Sequence, residues 1–147
     1  MSARRRTLGQ MLSDARDSID RLTPEEALAA ARAGALIVDI RGDSDRERDG
    51  VVPGSLHVPR TVLEWRLAPD SDWRSPHAPA TGQQIILLCD HGYSSSLAAA
   101  ALAELGFESV GDVDGGFEAW RRAGLPVAPP SHHRGDGLAG MQPPEPN

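Results

Sequence analysis

The chain has 147 residues, 39% of them hydrophobic and 24% charged, which is enough for one packed domain and short for two. Its formal net charge of −6 argues against a nucleic-acid partner, because nucleic-acid binders are usually basic. The single cysteine excludes an intramolecular disulfide framework and a zinc site built on several thiolates. The N-terminus lacks the apolar stretch of a signal peptide, and no run of about 18 apolar residues occurs. We therefore expect a soluble, cytoplasmic protein with no membrane partner.

Composition divides the chain into three parts. Residues 1–21 are mostly charged and predict a peripheral N-terminal arm with a frayed helix. Residues 22–128 contain the regular alternation of apolar and polar segments that is typical of a folded domain. Residues 129–147 are rich in proline and glycine and predict a disordered tail.

Short apolar runs alternate with helical segments within the central part. The runs 35–40 and 84–88 are continuous and aliphatic, which is typical of strands buried on both faces of a sheet. Shorter runs at 56–58 and 107–113 predict two more strands. Helices are predicted from a capping box at Thr23 to Ala33, over 62–67, over about 96–105, and from Gly115-Gly116 to near Gly124. This alternation predicts an α/β fold with a parallel sheet between two helical layers.

Cys89 stands where the run 84–88 passes into a polar loop and then a helix. Ligands of open parallel sheets bind at the carboxyl ends of strands, which places this thiol at the functional edge. The first N–H groups of the helix have no internal partner and the helix dipole adds positive potential, so the turn favours a thiolate, a persulfide or a bound oxyanion. Gly92 lets the backbone turn without a side chain in the way. The alternative is an inert buried cysteine, and the adjacent carboxylate of Asp90 acts against activation by raising the thiol pKa.

Four segments in order resemble motifs of the rhodanese-like domain family. They are Leu36-Ile37-Val38-Asp39-Ile40-Arg41 with its Asp-x-Arg ending, the Pro-Gly segment 50–59, the loop 89–94, and Gly115-Gly116-Phe117-Glu118-Ala119-Trp120 followed by Gly124-Leu125-Pro126. Each motif alone is weak, and four in order are specific. The resemblance covers about residues 22–128 and implies a three-layer α/β/α domain with a central, mostly parallel five-stranded sheet.

The resemblance also implies a single-domain sulfurtransferase. Cys89 takes a sulfane sulfur from thiosulfate or a persulfide, carries it as a cysteine persulfide, and passes it to a thiol or to cyanide. The loop that cradles substrate and persulfide comprises Asp90, His91, Gly92, Tyr93, Ser94 and Ser95. The expected partners are these small molecules and a persulfide-carrying protein, and neither a metal nor an organic cofactor is expected.

Two features of the sequence bear on the choice of sulfur donor. Many loops of the family are basic, whereas this loop has Asp90 at its second position and Ser94 at its sixth. A dianion such as thiosulfate gains little from an acidic loop, which favours a persulfide carrier as the donor. Arg41 is a candidate anion-binding residue at the mouth of the site, or else a surface partner of Asp43 or Asp45. The residues alone leave both interpretations open.

Other functions also stay open. A non-catalytic rhodanese-like module that binds a partner or senses sulfur has the same fold, although inactive members often lose the cysteine. A phosphatase or arsenate reductase of related fold uses Cys-x5-Arg, whose guanidinium binds the oxyanion, and Ser95 stands where that arginine is required. The pair His132-His133 has no third ligand, so no metal site is predicted there.

Overall fold

The computed structural model describes residues 5–130 and shows, within that range, one sheet and six α-helices. The strands are β1 (Asp20–Leu22), β2 (Leu36–Asp39), β3 (Leu56–His57), β4 (Ile85–Leu88) and β5 (Val110–Val113). The helices are α1 (Leu8–Asp17), α2 (Pro24–Arg32), α3 (Asp43–Asp49), α4 (Leu63–Leu67), α5 (Ser94–Glu104) and α6 (Gly116–Arg122), with a 3₁₀ turn at Arg60–Val62 before α4. None of these helices is long and apolar enough to cross a membrane.

The five strands lie in the order β1-β5-β4-β2-β3, and every pairing between them is parallel. Strand β4 is the central strand, between β5 and β2. Because the strands are parallel, their carboxyl ends meet at one edge of the sheet, and the residues that follow them lie together. The predicted α/β fold with a five-stranded parallel sheet is therefore confirmed.

Helices cover both faces of the sheet. Successive residues of β4 point to opposite faces, so Ile85 and Leu87 join one hydrophobic cluster whereas Ile86 and Leu88 join the other. The first cluster packs under α4 and α5 and includes Leu63, Leu67, Ala98, Ala99, Leu102 and Cys89. The second packs under α2 and α6 and includes Ala27, Phe117 and Trp120. Burial on both faces explains why β2 and β4 are continuous apolar runs.

The N-terminal residues form a regular helix and a strand of the sheet, unlike the frayed peripheral arm that the sequence predicts. Helix α1 begins at a capping box in which Thr7 Oγ1 accepts from the Gln10 N–H at 3.1 Å and Gln10 Oε1 accepts from the Thr7 N–H at 2.8 Å. Helix α1 packs against α5, and β1 pairs with β5, with Arg21 opposite Asp112. Two charged residues in a three-residue strand hide β1 from pattern analysis, because its apolar signal is a single leucine.

The other predicted strands and helices differ from the structure only at their ends, and β5 begins at Val110 instead of residue 107. Helix α3 lies in the charged segment 41–50, for which the sequence predicts a solvated loop or a short helix. The predicted disordered tail 129–147 lies outside the described residues beyond Pro130, as do residues 1–4 and the pair His132-His133. The division of the chain at residues 22 and 128 stays a prediction.

The pairing of β1 with β5 can be tested at Gly111. A Cβ at this position would lie 2.6 Å from the Asp20 carbonyl oxygen and 2.8 Å from Leu22 Cδ1, so a methyl group pushes β1 off the sheet. We expect Gly111→Ala to lower the free energy of unfolding in urea by about 1–3 kcal/mol. The control is Gly82→Ala, where the nearest atom to the added Cβ is the flexible Glu108 Oε2 at 3.4 Å. Equal free energies of unfolding for the two variants would contradict the pairing.

Candidate active site

Cys89 directly follows the central strand β4, so the sheet brings its thiol to the carboxyl edge between the ends of β2 and β5. The residue is only 7% exposed. Its exposed part opens into a cavity of ≈ 360 Å³ at this edge. The other residues that line this cavity are Ile40, Arg41, Gly42, Asp45, Asp90, His91, Tyr93 and Ser94. The thiol is therefore buried on one side and accessible to a small molecule on the other.

The Cys89 sulfur accepts two backbone hydrogen bonds. The Gly92 N–H donates to Sγ at 3.1 Å and the Ser95 N–H donates at 3.4 Å. Ser95 is the second residue of α5, and Tyr93, which precedes the helix, offers no side-chain cap. The sulfur thus takes the place of a capping side chain at the N-terminus of α5. The sequence predicts that this helix starts near residue 96, but α5 already begins at Ser94 and the cysteine supplies the acceptor.

The pKa of the Cys89 thiol lies below its usual range, although burial raises it. The hydroxyls of Ser95 and Ser94 and the N–H groups of Ser95 and Gly92 outweigh that burial by donating to the sulfur. The Ser95 hydroxyl has one proton and also lies 2.8 Å from Asp112 Oδ2, so it donates to one acceptor at a time. The Ser94 hydroxyl and the two N–H groups are the donors without this competition, and they favour the nucleophilic thiolate.

The N-terminus of α6 holds the backbone on the other side of the cysteine. The Phe117 N–H donates to the Cys89 carbonyl oxygen at 2.8 Å, and the Glu118 N–H donates to the Asp90 carbonyl oxygen at 3.0 Å. Gly116 has φ +64°, and a Cβ there would lie 2.6 Å from the Asp90 carbonyl oxygen. The glycine pair at 115–116 therefore lets α6 approach the active loop, which sequence analysis did not predict.

Gly92 forms the turn of the active loop. Its φ is +84°, a conformation that side chains rarely adopt. A Cβ at Gly92 would also lie 2.7 Å from the Gly115 nitrogen and 3.1 Å from the Val113 carbonyl oxygen. The loop is thus packed against the end of β5, and the direction of the Gly92 N–H toward the sulfur is fixed by that packing.

A buried polar network lies behind the loop, and sequence analysis missed it. Asp112 is fully buried in β5 and accepts from Ser95 Oγ at 2.8 Å, from Ser96 Oγ at 2.7 Å and from Arg21 Nε at 3.0 Å. Arg21 Nη2 and Arg16 Nη2 each donate to the Gly92 carbonyl oxygen at 2.9 Å. A charged residue inside a short apolar strand is a signal for such a network, because a buried carboxylate requires partners. Arg16 and Arg21 lie in charged segments, where no sequence pattern indicates that they contact the loop.

Arg41 is buried and pairs with Asp39, so the interpretation of a surface pair with Asp43 or Asp45 is wrong. Its Nε and Nη2 donate to the two Asp39 carboxylate oxygens at 3.0 and 2.8 Å, and Nη2 also donates to the Gly50 carbonyl oxygen. Both residues stand at the buried end of β2, where a charged side chain needs a partner within the protein.

One nitrogen of Arg41 is not used in the pair with Asp39. Arg41 Nη1 is buried, has no hydrogen-bond partner among the described residues, and lies 3.7 Å from Asp90 Oδ1. The Phe117 ring packs under the guanidinium at 4.0 Å. Arg41 lines the cavity that holds Cys89, so its positive charge can attract an anionic group there.

The other predicted loop residues form the rim of the cavity. Burial, together with the nearby carboxylate of Asp45, raises the pKa of Asp90, and the Arg41 charge opposes this shift. His91 is mostly exposed, with Nε2 3.9 Å from Glu118 Oε2. Tyr93 is 63% exposed. The mouth of the site therefore has two carboxylates and an exposed aromatic ring.

The chain matches known proteins over most of its length. The family model of the rhodanese-like domain matches residues 23–123. The thiosulfate sulfurtransferase GlpE of Stutzerimonas stutzeri is 41% identical over 102 residues, which cover 69% of this chain and 84% of the relative. The protein of the same name from Pseudomonas entomophila is 39% identical over 102 residues, with the same two coverages of 69% and 84%.

Solved structures agree with this match. A Rhodopseudomonas palustris protein of unknown function, described as a possible tyrosine phosphatase, is 35% identical with a TM-score of 0.77, over 86% of this chain and 98% of that one. The polysulfide-sulfur transferase of Wolinella succinogenes is 23% identical with a TM-score of 0.64, over 84% of this chain and 85% of that one, and shows the fold alone. The fold, the order of the four motifs and the match over 23–123 together establish that this chain belongs to the rhodanese-like domain family.

Proposed function

We propose that this protein is a sulfurtransferase that carries a sulfane sulfur as a persulfide on Cys89. The observation that carries the proposal is the environment of the Cys89 sulfur, which accepts from two backbone N–H groups at the start of α5 and faces a small cavity. The relatives named thiosulfate sulfurtransferase support the same reaction class. Donors aimed at one point stabilise a sulfur anion as an oxyanion hole stabilises oxygen.

The first half-reaction loads the cysteine. The Cys89 thiolate attacks the outer sulfur of the donor and forms an S–S bond, while the bond from that sulfur to the rest of the donor breaks. With thiosulfate the leaving group is sulfite, which keeps the bonding electron pair. The product is a Cys89 persulfide anion, so no oxidant or reductant is consumed. The loop of Asp90, His91, Gly92, Tyr93, Ser94 and Ser95 surrounds this group and holds its negative charge through N–H and hydroxyl donors.

The second half-reaction removes the outer sulfur from the Cys89 persulfide. A nucleophile such as cyanide or a thiol attacks the outer sulfur, the S–S bond breaks, and Cys89 returns as a thiolate. Cyanide leaves as thiocyanate and a thiol leaves as a persulfide. The chain has no second cysteine to resolve the persulfide, so the acceptor is an external molecule. Two separate half-reactions give ping-pong kinetics.

The rim suggests which donor suits the site. Asp90 and Asp45 carry negative charge at the mouth, and the buried Nη1 of Arg41 lies 3.7 Å from Asp90 Oδ1. A dianionic donor competes with Asp90 for Arg41, whereas a persulfide donor brings less charge to the outer sulfur. A small persulfide or a persulfide-carrying protein is therefore the preferred donor in this proposal. The free thiol fits a reducing compartment, the cytoplasm.

Phosphatase chemistry is not favoured. The oxyanion-binding arginine of a Cys-x5-Arg loop would stand at position 95, and Ser95 there is buried with its hydroxyl on Asp112. A non-catalytic module would not need the donors that surround Cys89, and the next experiment separates it from the enzyme.

Cys89→Ser tests the proposal directly. After incubation with thiosulfate or glutathione persulfide, the wild type should gain the mass of one sulfur atom and release thiocyanate when cyanide is added. Cys89→Ser should do neither, because serine cannot hold a sulfane sulfur. If the wild type neither gains sulfur nor releases thiocyanate with either donor, the catalytic proposal fails and the binding module replaces it.

Ser94→Ala should move the pH dependence of the reaction. The Ser94 hydroxyl lowers the pKa of Cys89, so its loss raises that pKa, and the thiolate then forms only at higher pH. We expect thiocyanate release at pH 7 to fall about threefold to tenfold and to converge with the wild type in alkaline buffer. Ser13→Ala, on the exposed side of α1, is the control. If thiocyanate release by Ser94→Ala is reduced by the same factor at every pH, the Ser94 hydroxyl does not act through the pKa of Cys89.

Asp90→Asn should improve thiosulfate as a donor. Removing the carboxylate beside Arg41 leaves the anionic donor without its competitor, so we expect KM for thiosulfate to fall about threefold to tenfold, and less in high salt. Glu104→Gln, at the exposed end of α5, makes the same change of charge away from the site. A KM for thiosulfate that is already low in the wild type, or unchanged in Asp90→Asn, would overturn the role of Asp90.

A further inference from the structure

Two arginines of the N-terminal segment converge on a single carbonyl oxygen of the active loop. Arg16 of α1 and Arg21 of β1 each donate from Nη2 to the Gly92 carbonyl oxygen at 2.9 Å. Both residues lie before residue 23, where the match to the rhodanese-like domain begins. The next backbone group toward the cysteine is the Gly92 N–H, which donates to the Cys89 sulfur.

The remaining contacts of Arg16 also lead to the loop. Its Nε donates to Ser96 Oγ in the first turn of α5 at 3.1 Å. Its guanidinium carbon lies 5.7 Å from the centroid of the Tyr93 ring. Arg16 thus contacts Gly92, Tyr93 and Ser96. Its half-buried side chain connects α1 to the active loop and to the start of α5.

Arg21 ties the same carbonyl to the polar network behind the loop. Its Nε lies 3.0 Å from Asp112 Oδ1, and Nη1 lies 3.0 Å from Asp114 Oδ1. Burial acts to lower the pKa of Arg21, but the hydrogen bond and charge of Asp112 prevail and raise it, with a further contribution from the Cys89 charge. That mutual attraction means that a charged Arg21 favours a charged sulfur.

The loop has no cation of its own, because Cys89 to Ser95 contains neither lysine nor arginine. We propose that Arg16 and Arg21 are positioning residues for the sulfur-transfer reaction: by holding the Gly92 carbonyl from behind, they keep the turn of the active loop in place beside the Cys89 sulfur and supply positive charge to the thiolate and persulfide. The inference rests on the proposed function for its role in sulfur transfer. The N-terminal helix and strand then form part of the active site of this chain.

The single cysteine provides a readout that needs no sulfur donor. Iodoacetamide alkylates only the thiolate, so the pH dependence of the alkylation rate reports the titration of Cys89. Arg16→Gln removes the charge and the donor to Gly92. We expect alkylation at pH 7 to slow about threefold to tenfold and the titration to move to higher pH. Arg16→Lys, which keeps the charge with a single donor group, should recover part of the loss.

Arg32→Gln is the matched control, because Arg32 is exposed at the end of α2 that precedes β2, at the edge of the sheet opposite Cys89. Arg21→Gln should move the titration further than Arg16→Gln, since Arg21 contacts both Gly92 and Asp112. If Arg21→Gln fails to fold because Asp112 is left unpaired, Arg16→Gln decides the question. A titration of folded Arg16→Gln identical to that of the wild type and Arg32→Gln overturns the proposal.

Sulfur loading measured on the same variants separates this inference from the proposed function. Slower loading of Arg16→Gln from glutathione persulfide, with full recovery at high pH, supports the positioning role in the reaction. A wild type that loads no sulfur overturns the proposed function, and with it the role in sulfur transfer, while the alkylation series still decides whether the two arginines position the thiolate. A loss of loading that persists at high pH contradicts the positioning role.

Discussion

The residues around Cys89 are arranged so that a negative charge is stabilised on one nearly buried sulfur. Burial alone favours the neutral thiol, so the geometry of the donors decides whether Cys89 is a nucleophile. The Gly92 and Ser95 N–H groups reach the sulfur because β4 ends just before the loop and α5 begins just after it. A serine cap at the same place would satisfy the helix without offering a reactive atom. The same hydrogen bond therefore caps the N-terminus of α5 and favours the thiolate of Cys89.

The loop keeps this arrangement because its carbonyl groups are held away from the sulfur. The carbonyls of Cys89 and Asp90 accept from the first turn of α6, and the carbonyl of Gly92 accepts from two guanidinium groups. An anion is repelled by carbonyl dipoles and attracted by N–H dipoles, so carbonyl groups that are held away from the sulfur favour a negative charge on it. Gly92 within the loop and Gly116 at the start of α6 both leave no room for a Cβ, which allows this close approach of α6 and β5 to the loop.

Local patterns predicted the parts of this site that depend on burial, and missed those that depend on distant pairing. The apolar runs of β2 and β4 identify central strands, and parallel topology then places Cys89 at the functional edge. Strand β1 has two charged residues out of three and becomes a strand only by pairing with β5, far along the chain. The partner of Arg41 was missed for a similar reason, because Asp39 and Asp43 are each two residues away in sequence and only the fold buries Asp39 beside it.

The charges around Cys89 are divided between two sides of the loop. Behind it, Arg21 and Arg16 favour a sulfur anion, while Asp90 and Asp45 line the cavity from which a donor approaches. The carboxylate of Asp90 lies 3.7 Å from Arg41 Nη1, so it partly offsets the positive charge that attracts an anionic sulfur donor. Coulomb interactions weaken with distance, so a carboxylate this close to Arg41 has a larger effect than the other surface charges. An acidic residue next to Cys89 can therefore select sulfur donors of low negative charge, while the hydrogen-bond donors around the sulfur favour its thiolate form.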